Sequence, residues 1–184
     1  MKNTNKKGLT IKEHFKSMIK MDKNPQEGLR KYYEVYGLTV YTIAKVCCRD
    51  TLVAQEVVNQ TFAHILQSSR VPKLIFNPNR YVYKLTCKYA KKVIKKLNKM
   101  PKRSSDYHLL ENLKVRLFYD NEEFFLKIAP YYYKAQIVVA LKFVVGYEMQ
   151  EIAKMMGLSL KQTEDFYEEI ITVLELQEKN KLGG

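Results

Sequence analysis

The chain has 184 residues, enough for one ordinary domain or two small ones, and 46% of them are hydrophobic, which excludes global disorder. Only 7 Gly and 5 Pro interrupt it, so long helical patterns dominate and a sheet fold is disfavoured. The formal charge of +13 is uneven: residues 1–103 hold 23 Lys/Arg against 6 Asp/Glu, and residues 104–184 hold 9 against 13. A basic half suits a polyanion, through phosphate neutralisation and counterion release; lysines kept only for solubility are the plainer alternative.

In chain order, a polar basic tail precedes Thr10 and Glu13, a capping-box pattern that predicts a short helix. Ile11, Phe15, Met18 and Ile19 follow at helical spacing and are its expected inner stripe. Such a basic amphipathic helix packs on its own domain or touches a membrane surface. Asn24-Pro25-Gln26-Glu27 predicts the start of a second helix, with Asn24 as cap and Pro25 in the first turn. Leu29, Tyr32, Tyr33, Tyr36, Val40, Ile43, Ala44 and Cys47 form its buried stripe. Asp50-Thr51 starts a third helix lined by Val53, Val57, Thr61, Phe62 and Ile65.

After a loop containing Pro72, Asn77-Pro78 opens a fourth helix. From Lys84 to Arg103 there are nine basic residues and no acidic one. At about 100° per residue, Val82, Leu85, Tyr89, Val93 and Leu97 share one side, and Lys84, Lys88, Lys91, Lys92, Lys95 and Lys99 share the other. Pro101, Lys102, Arg103, Ser104, Ser105 and Asp106 break the pattern, so residues 101–119 read as a linker with a weaker apolar helix from Leu109 to Phe118. A second unit begins near Asp120, which pairs with Glu123 as a capping box. Its first stretch, through Gln136 to Leu141, stops at Gly146; a second, from about Glu148 to Met156, stops at Gly157. A third starts at Ser159, with Gln162 in the box position. Helix, glycine turn, helix is the layout of a helix-turn-helix.

Two stretches together carry a family resemblance. Ala54-Gln55-Glu56-Val57-Val58-Asn59-Gln60-Thr61-Phe62 resembles an Ala-x-Asp-x-x-Gln-x-x-Phe pattern, with Glu56 and Asn59 as close chemical replacements. Gly146-Tyr147 through Glu151-Ile152-Ala153 to Gly157-Leu158-Ser159 resembles a helix-turn-helix in which Glu-Ile-Ala precedes a Gly-Ile-Ser turn. In this order the chain is similar to the sigma-70 family, in particular its small extracytoplasmic-function (ECF) class. The resemblance spans roughly residues 24–178. It implies an all-α fold of two small helical domains: a four-helix region 2-like domain over residues 24–100 and a region 4-like helix-turn-helix domain over residues 120–178. Residues 1–23 are then a tail with a short helix, 101–119 the linker and 179–184 a C-terminal tail.

The function so implied is transcription initiation, by binding core RNA polymerase at its β′ clamp helices and β flap together with promoter DNA. Glu56, Asn59 and Gln60 carry over to polymerase binding. Arg80, Tyr81, Lys84, Lys88, Lys91, Lys92 and Lys95 carry over to opening and holding the −10 element. Lysines can track phosphates, and rings can stack on unstacked bases. Tyr81 stands where the family has Trp, and Lys88 and Lys92 replace polar positions. Tyr83 lies in the same stretch, though it and Tyr89 read as core. Glu151, Ala153, Gly157, Ser159, Lys161 and Gln162 carry over to the helix-turn-helix. There the chain departs from the family, because its expected recognition helix presents Glu164, Asp165, Glu168 and Glu175 outward with Glu169 on the flank, and Phe166, Ile170, Val173 and Leu174 inward. Carboxylates repel phosphates. A sigma-like regulator that binds polymerase or another sigma factor without reading promoters therefore stands beside the first reading, and a generic helical interaction module is a third. An anti-sigma factor is a further partner the family implies.

His14, His64 and His108 lack matching partners, and no phosphate loop or nucleophile motif occurs, so neither enzyme activity nor a cofactor or metal is expected. Cys47, Cys48 and Cys87 lack zinc spacing, and their odd count without a signal peptide suggests a reducing cytosol. With no apolar run of spanning length, the protein is expected in the cytoplasm without membrane insertion.

Overall fold

A computed structural model describes residues 8–68, 76–97 and 122–182, with side chains as far as residue 174. The described residues are helical and contain no strand, as the all-α reading expects. The segment read as the linker, its Leu109–Phe118 helix and the Asp120 cap lie outside the described residues, as do Lys99 and the side chain of Glu175.

Helix α1 (Ile11–Lys23) starts where Thr10 and Glu13 cap each other, the Glu13 N–H donating to Thr10 Oγ1 at 3.3 Å and the Thr10 N–H to Glu13 Oε2 at 2.9 Å. Helix α2 (Pro25–Cys48) follows after a single residue. Asn24 serves both helices: its N–H donates to the Lys20 carbonyl at 2.7 Å, and its Oδ1 accepts the Glu27 N–H at 3.3 Å. Gly28 makes this tight joint possible. A Cβ there would lie 2.6 Å from the Met21 backbone, so α1 can approach α2 only over a missing side chain.

The docked face of α1 is not the expected one. Met18 is buried, but Ile11, Phe15 and Ile19 are 41%, 37% and 37% exposed, and the helix instead buries His14, Ser17 and Met21. The reason is polar. His14 Nδ1 and the Tyr32 hydroxyl share a hydrogen bond of 3.0 Å, and the imidazole meets the Tyr32 and Tyr81 rings edge-on. One turn along α2, the Tyr36 hydroxyl accepts the Leu9 N–H at 3.0 Å and donates to Asn79 Oδ1 at 2.8 Å. Buried phenols need such partners.

Helix α3 (Thr51–Ser68) is capped by Asp50, whose Oδ1 accepts the Val53 N–H at 2.8 Å. Helix α4 (Pro78–Leu97) is capped by Asn77, whose Oδ1 accepts the Arg80 N–H at 2.9 Å. Between α2 and α3, Arg49 closes α2 in the left-handed region at φ 60° and donates to the Ala129 carbonyl at 3.0 Å. Helices α5 (Glu122–Ile128) and α6 (Tyr133–Ala140) follow, and α6 widens into a π-helical turn over Leu141–Val145. That turn ends at Gly146, φ 80°. Helices α7 (Met149–Met156) and α8 (Leu160–Leu182) complete the described chain.

Two buried clusters result. One is built from α1 to α4 around Tyr32, Tyr36, Val40, Val57, Ile65 and Val82. The other lies among α5 to α8, around Ile128, Ile137, Leu141, Tyr147, Ile152 and Ile170. Helix α2 enters both, since Ile43 and Val46 belong to the second cluster and Cys47 packs on each. Two polar links fix this seam. The Tyr147 and Thr39 hydroxyls hydrogen-bond at 3.2 Å. Lys45, with its side chain 2% exposed, pairs with Glu122 of α5 at 2.8 Å and donates to Thr51 Oγ1 at 2.8 Å.

Gly28→Ala is expected to destabilise the protein by about 1–3 kcal/mol, the range for overpacking, because the added carbon meets the Met21 backbone as well as its side chain, so moving the side chain alone cannot relieve the clash; equilibrium urea unfolding measures it. His14 gives a pH dependence. Burial holds its pKa below the usual 6.5, and Nε2 has no partner to receive a second proton. The native state therefore binds fewer protons than the unfolded one below 6.5. Stability is fully present above that pH and falls as acid is added. Melting temperatures of wild type and His14→Gln should converge as pH drops below 6.5, and parallel curves would contradict this origin.

Candidate nucleic-acid interface

Helix α4 divides as its residue spacing requires. Val82, Leu85 and Val93 are buried and Tyr89 and Leu97 half-buried, whereas Lys84, Lys88, Lys91, Lys92 and Lys95 are all exposed. Among the described residues, no carboxylate pairs with any of these five lysines. Lys88 and Lys92 flank the ring of Tyr89, with ammonium-to-centroid distances of 6.0 and 5.6 Å. Below it lies His64 of α3, 5.7 Å from Tyr89 between centroids. Burial, and then the charge of Lys88, lower the His64 pKa, which favours the neutral imidazole.

The expected polymerase-binding residues sit on the neighbouring helix. Ala54, Val57, Val58 and Phe62 are buried, which leaves Glu56, Asn59 and Gln60 half-exposed. The Gln60 amide donates to Glu56 Oε1 at 2.6 Å and holds the carboxylate in place. Glu56, Gln60 and His64 are spaced four residues apart and so form one stripe. Because His64 ends that stripe against Tyr89, the acidic–amide stripe and the lysine ridge adjoin.

Tyr81 and Arg80 are placed differently from the lysines. Tyr81 is half-buried against the first cluster and meets His14 edge-on at 6.0 Å; burial raises its pKa, and a hydrogen bond with Ser68 works against that rise. Its ring is thus partly committed to holding α1. Arg80 is exposed, but its guanidinium lies across Gly157: a Cβ on that glycine would meet Nη2 at 2.6 Å. Tyr83 packs into the second cluster, as its core reading expects.

In the stretch read as a helix-turn-helix, Glu151 Oε2 accepts the Glu148 N–H at 2.8 Å and caps α7. Ala153 is buried, and Gly157 turns the chain at φ 74°. Ser159 and Gln162 cap α8 reciprocally, the Ser159 N–H donating to Gln162 Oε1 at 3.1 Å and the Gln162 N–H to Ser159 Oγ at 3.1 Å. The Gln162 carbonyl oxygen is therefore spent on the cap, and Lys161 remains exposed. Along α8, Glu164, Asp165, Glu168 and Glu169 are exposed and Ile170 is buried. Phe166 and Leu174 are half-buried as expected, but Val173 is 37% exposed, while Thr163 is buried in its stead because its hydroxyl bonds the Ser159 carbonyl at 2.9 Å.

The sequence reading missed the aromatic surface beside α8. Phe143, on the π-helical turn, is exposed and stacks on Tyr167 at 6.0 Å and 13°, with Phe124 also 6.0 Å away. Phe143 sits within the widened turn, for which sequence periodicity carries no signal. No group of three or more His, Cys, Asp or Glu side chains suited to a metal ion occurs among the described residues. Nor is any helix among them long and apolar enough to cross a membrane.

Gly157→Ala should cost about 1–2 kcal/mol for the left-handed backbone alone, and more while Arg80 fills the same space. A double-mutant cycle with Arg80→Ala is expected to show the penalty shrinking once the guanidinium is gone. Additive penalties would place Arg80 away from the turn.

Compared with known proteins, the chain matches no family model and no curated protein.

Proposed function

We propose that this protein is a divergent sigma factor-like protein of two helical units that acts in the cytoplasm, binding core RNA polymerase through Glu56, Asn59 and Gln60 and nucleic acid through the α4 lysine ridge. One observation carries the reading: five exposed lysines crowd one face of α4 with no carboxylate partner among the described residues. Lys84 and Lys88, Lys88 and Lys92, and Lys91 and Lys95 are like-charged neighbours one turn apart, each pair destabilising the helix by about 0.2–0.5 kcal/mol. A phosphate backbone along the ridge converts that repulsion into attraction and releases counterions. The adjoining stripe on α3 supports a second partner bound alongside the nucleic acid. No catalytic step is assigned to any residue.

A second reading has its own observation. The outer side of α8 is acidic through Glu164, Asp165, Glu168 and Glu169, and Arg80 and Tyr81 are engaged with Gly157 and His14. These features favour a sigma-like regulator that binds polymerase, or another sigma factor, with the helix-turn-helix facing protein instead of a −35-type DNA element.

Purified protein added to core polymerase should co-elute with it and, under the first reading, give new transcription starts on a promoter library. Co-elution without new starts favours the second, and absence of binding defeats both. Lys88→Glu with Lys92→Glu should weaken DNA binding and flatten the log–log salt dependence by about 2, roughly one unit per lost phosphate contact. Unchanged affinity and slope would remove the ridge from the nucleic-acid face.

A further inference from the structure

Two helix faces of opposite charge are left open to solvent among the described residues. On α1, Ile11, Phe15 and Ile19 are exposed. Spaced four residues apart, they form one stripe about 12 Å long. Lys12 and Lys16 follow Ile11 and Phe15 by one residue each, so they lie about 100° further round the helix, and both are exposed. Lys20 continues this row and pairs with Glu27 of its own chain. On α8, Leu160, Tyr167 and Ile171 form a stripe about 16 Å long; Leu160 is exposed and the other two are half-buried. Phe143 widens this stripe, being 56% exposed and stacked on Tyr167 at 6.0 Å. Glu168 follows Tyr167 by one residue, as Lys16 follows Phe15, and Glu164 stands one turn before it; both carboxylates are exposed.

We propose that the protein associates with itself, α1 of one copy packing antiparallel against α8 of a second copy. The direction follows from the stripes. In both helices the charged row lies on the same rotational side of the apolar row. Two parallel helices that meet through such apolar rows turn their charged rows to opposite sides of the seam. Reversing one helix brings both rows to the same side. Phe15 then meets the stack of Tyr167 and Phe143, with Ile11 toward Ile171 and Ile19 toward Leu160. In the same register Lys12 lies beside Glu168 and Lys16 beside Glu164.

A second copy accounts for both faces at once, and that is what selects it. An anionic lipid surface would accept the lysines and the apolar stripe of α1, but it would repel Glu164 and Glu168 and leave Phe143 in water. For each face a second copy supplies the opposite charge together with an apolar row of similar length. The two surfaces joined are different, so the contact is heterologous. Two copies that exchange α1 reciprocally close into a dimer, and a contact that does not close extends into a chain. No residue of the α4 ridge takes part, so the inference does not depend on the polymerase reading.

Sedimentation velocity on the full-length protein tests this. Salt of about 0.15 M suits it, since a Debye length of about 8 Å confines the general repulsion between +13 chains. The mass is expected to rise above that of one chain as concentration increases. Lys12→Glu with Lys16→Glu should associate at least tenfold more weakly than wild type, and so should Glu164→Lys with Glu168→Lys. All four positions are exposed, and circular dichroism checks that each variant keeps its helices. Mixing the two variants restores opposite charges at both contacts of a reciprocal pair, so the equimolar mixture should associate at least tenfold more tightly than either variant alone. Wild type that stays monomeric up to about 0.5 mM would overturn the proposal, as would association that neither variant weakens. A mixture no tighter than its components would also overturn it. Monomeric wild type that binds phosphatidylserine vesicles through Lys12 and Lys16 would give α1 to a lipid surface instead.

Discussion

A helix that is apolar on every side must be covered on every side, and α2 sets that requirement for this protein. From Tyr36 to Val46, all but one of its side chains are buried. No single bundle of neighbours can enclose it. Helices α1, α3 and α4 cover its first part and one flank, and α6 with the π-helical turn closes over Ile43 and Val46. The two buried clusters are therefore two ends of one contact surface. Lys45 shows how firmly the seam is set: its ammonium reaches Glu122 and Thr51 from inside the packing. A buried charge survives only when paired and hydrogen-bonded, and removing one partner is costly.

This shared helix also explains how surfaces of opposite charge coexist. With the apolar demand of α2 met internally, α4 is free to turn its lysines outward and α8 its carboxylates. Helix α4 meets the end of α7, just before α8 begins, through Arg80 and Gly157, where a missing side chain makes room for a guanidinium. Arg80, Tyr81 and Tyr83 face inward contacts, whereas the lysines further along the same helix do not. The ridge is thus the part of α4 that remains available to a partner without rearrangement, and Arg80 and Tyr81 become available only if their contacts with Gly157 and His14 open.

How much of this was legible in the sequence depended on distance along the chain. Caps are local, so the starts of α1, α2, α3, α4 and α8 could be read from Thr10, Asn24, Asp50, Asn77 and Ser159, as could the helix stops at Gly146 and Gly157. The lysine ridge was legible because charge and helical period coincide over many residues. The docked face of α1 was not, because hydropathy ranks Ile11, Phe15 and Ile19 above His14 and Ser17, and only the Tyr32 hydroxyl reverses that order. Gly28 was silent for a similar reason: its importance lies in the nearness of Met21, which no propensity encodes. The burial of Lys45 depends on helix crossing, and the π-helical turn on a local widening that leaves the residue pattern unchanged.

The joint at Asn24 has a consequence for how this sequence can vary. Because one residue ends α1 and begins α2, with hydrogen bonds in both directions, there is no slack to absorb a change in length. One residue inserted or deleted there would roll α1 about its axis by about 100°. That rotation would carry His14 off Tyr32 and swing other side chains into its place. Surface side chains are free to drift, but the spacing between His14 and Tyr32 is a ruler, and relatives of this chain should keep it residue for residue.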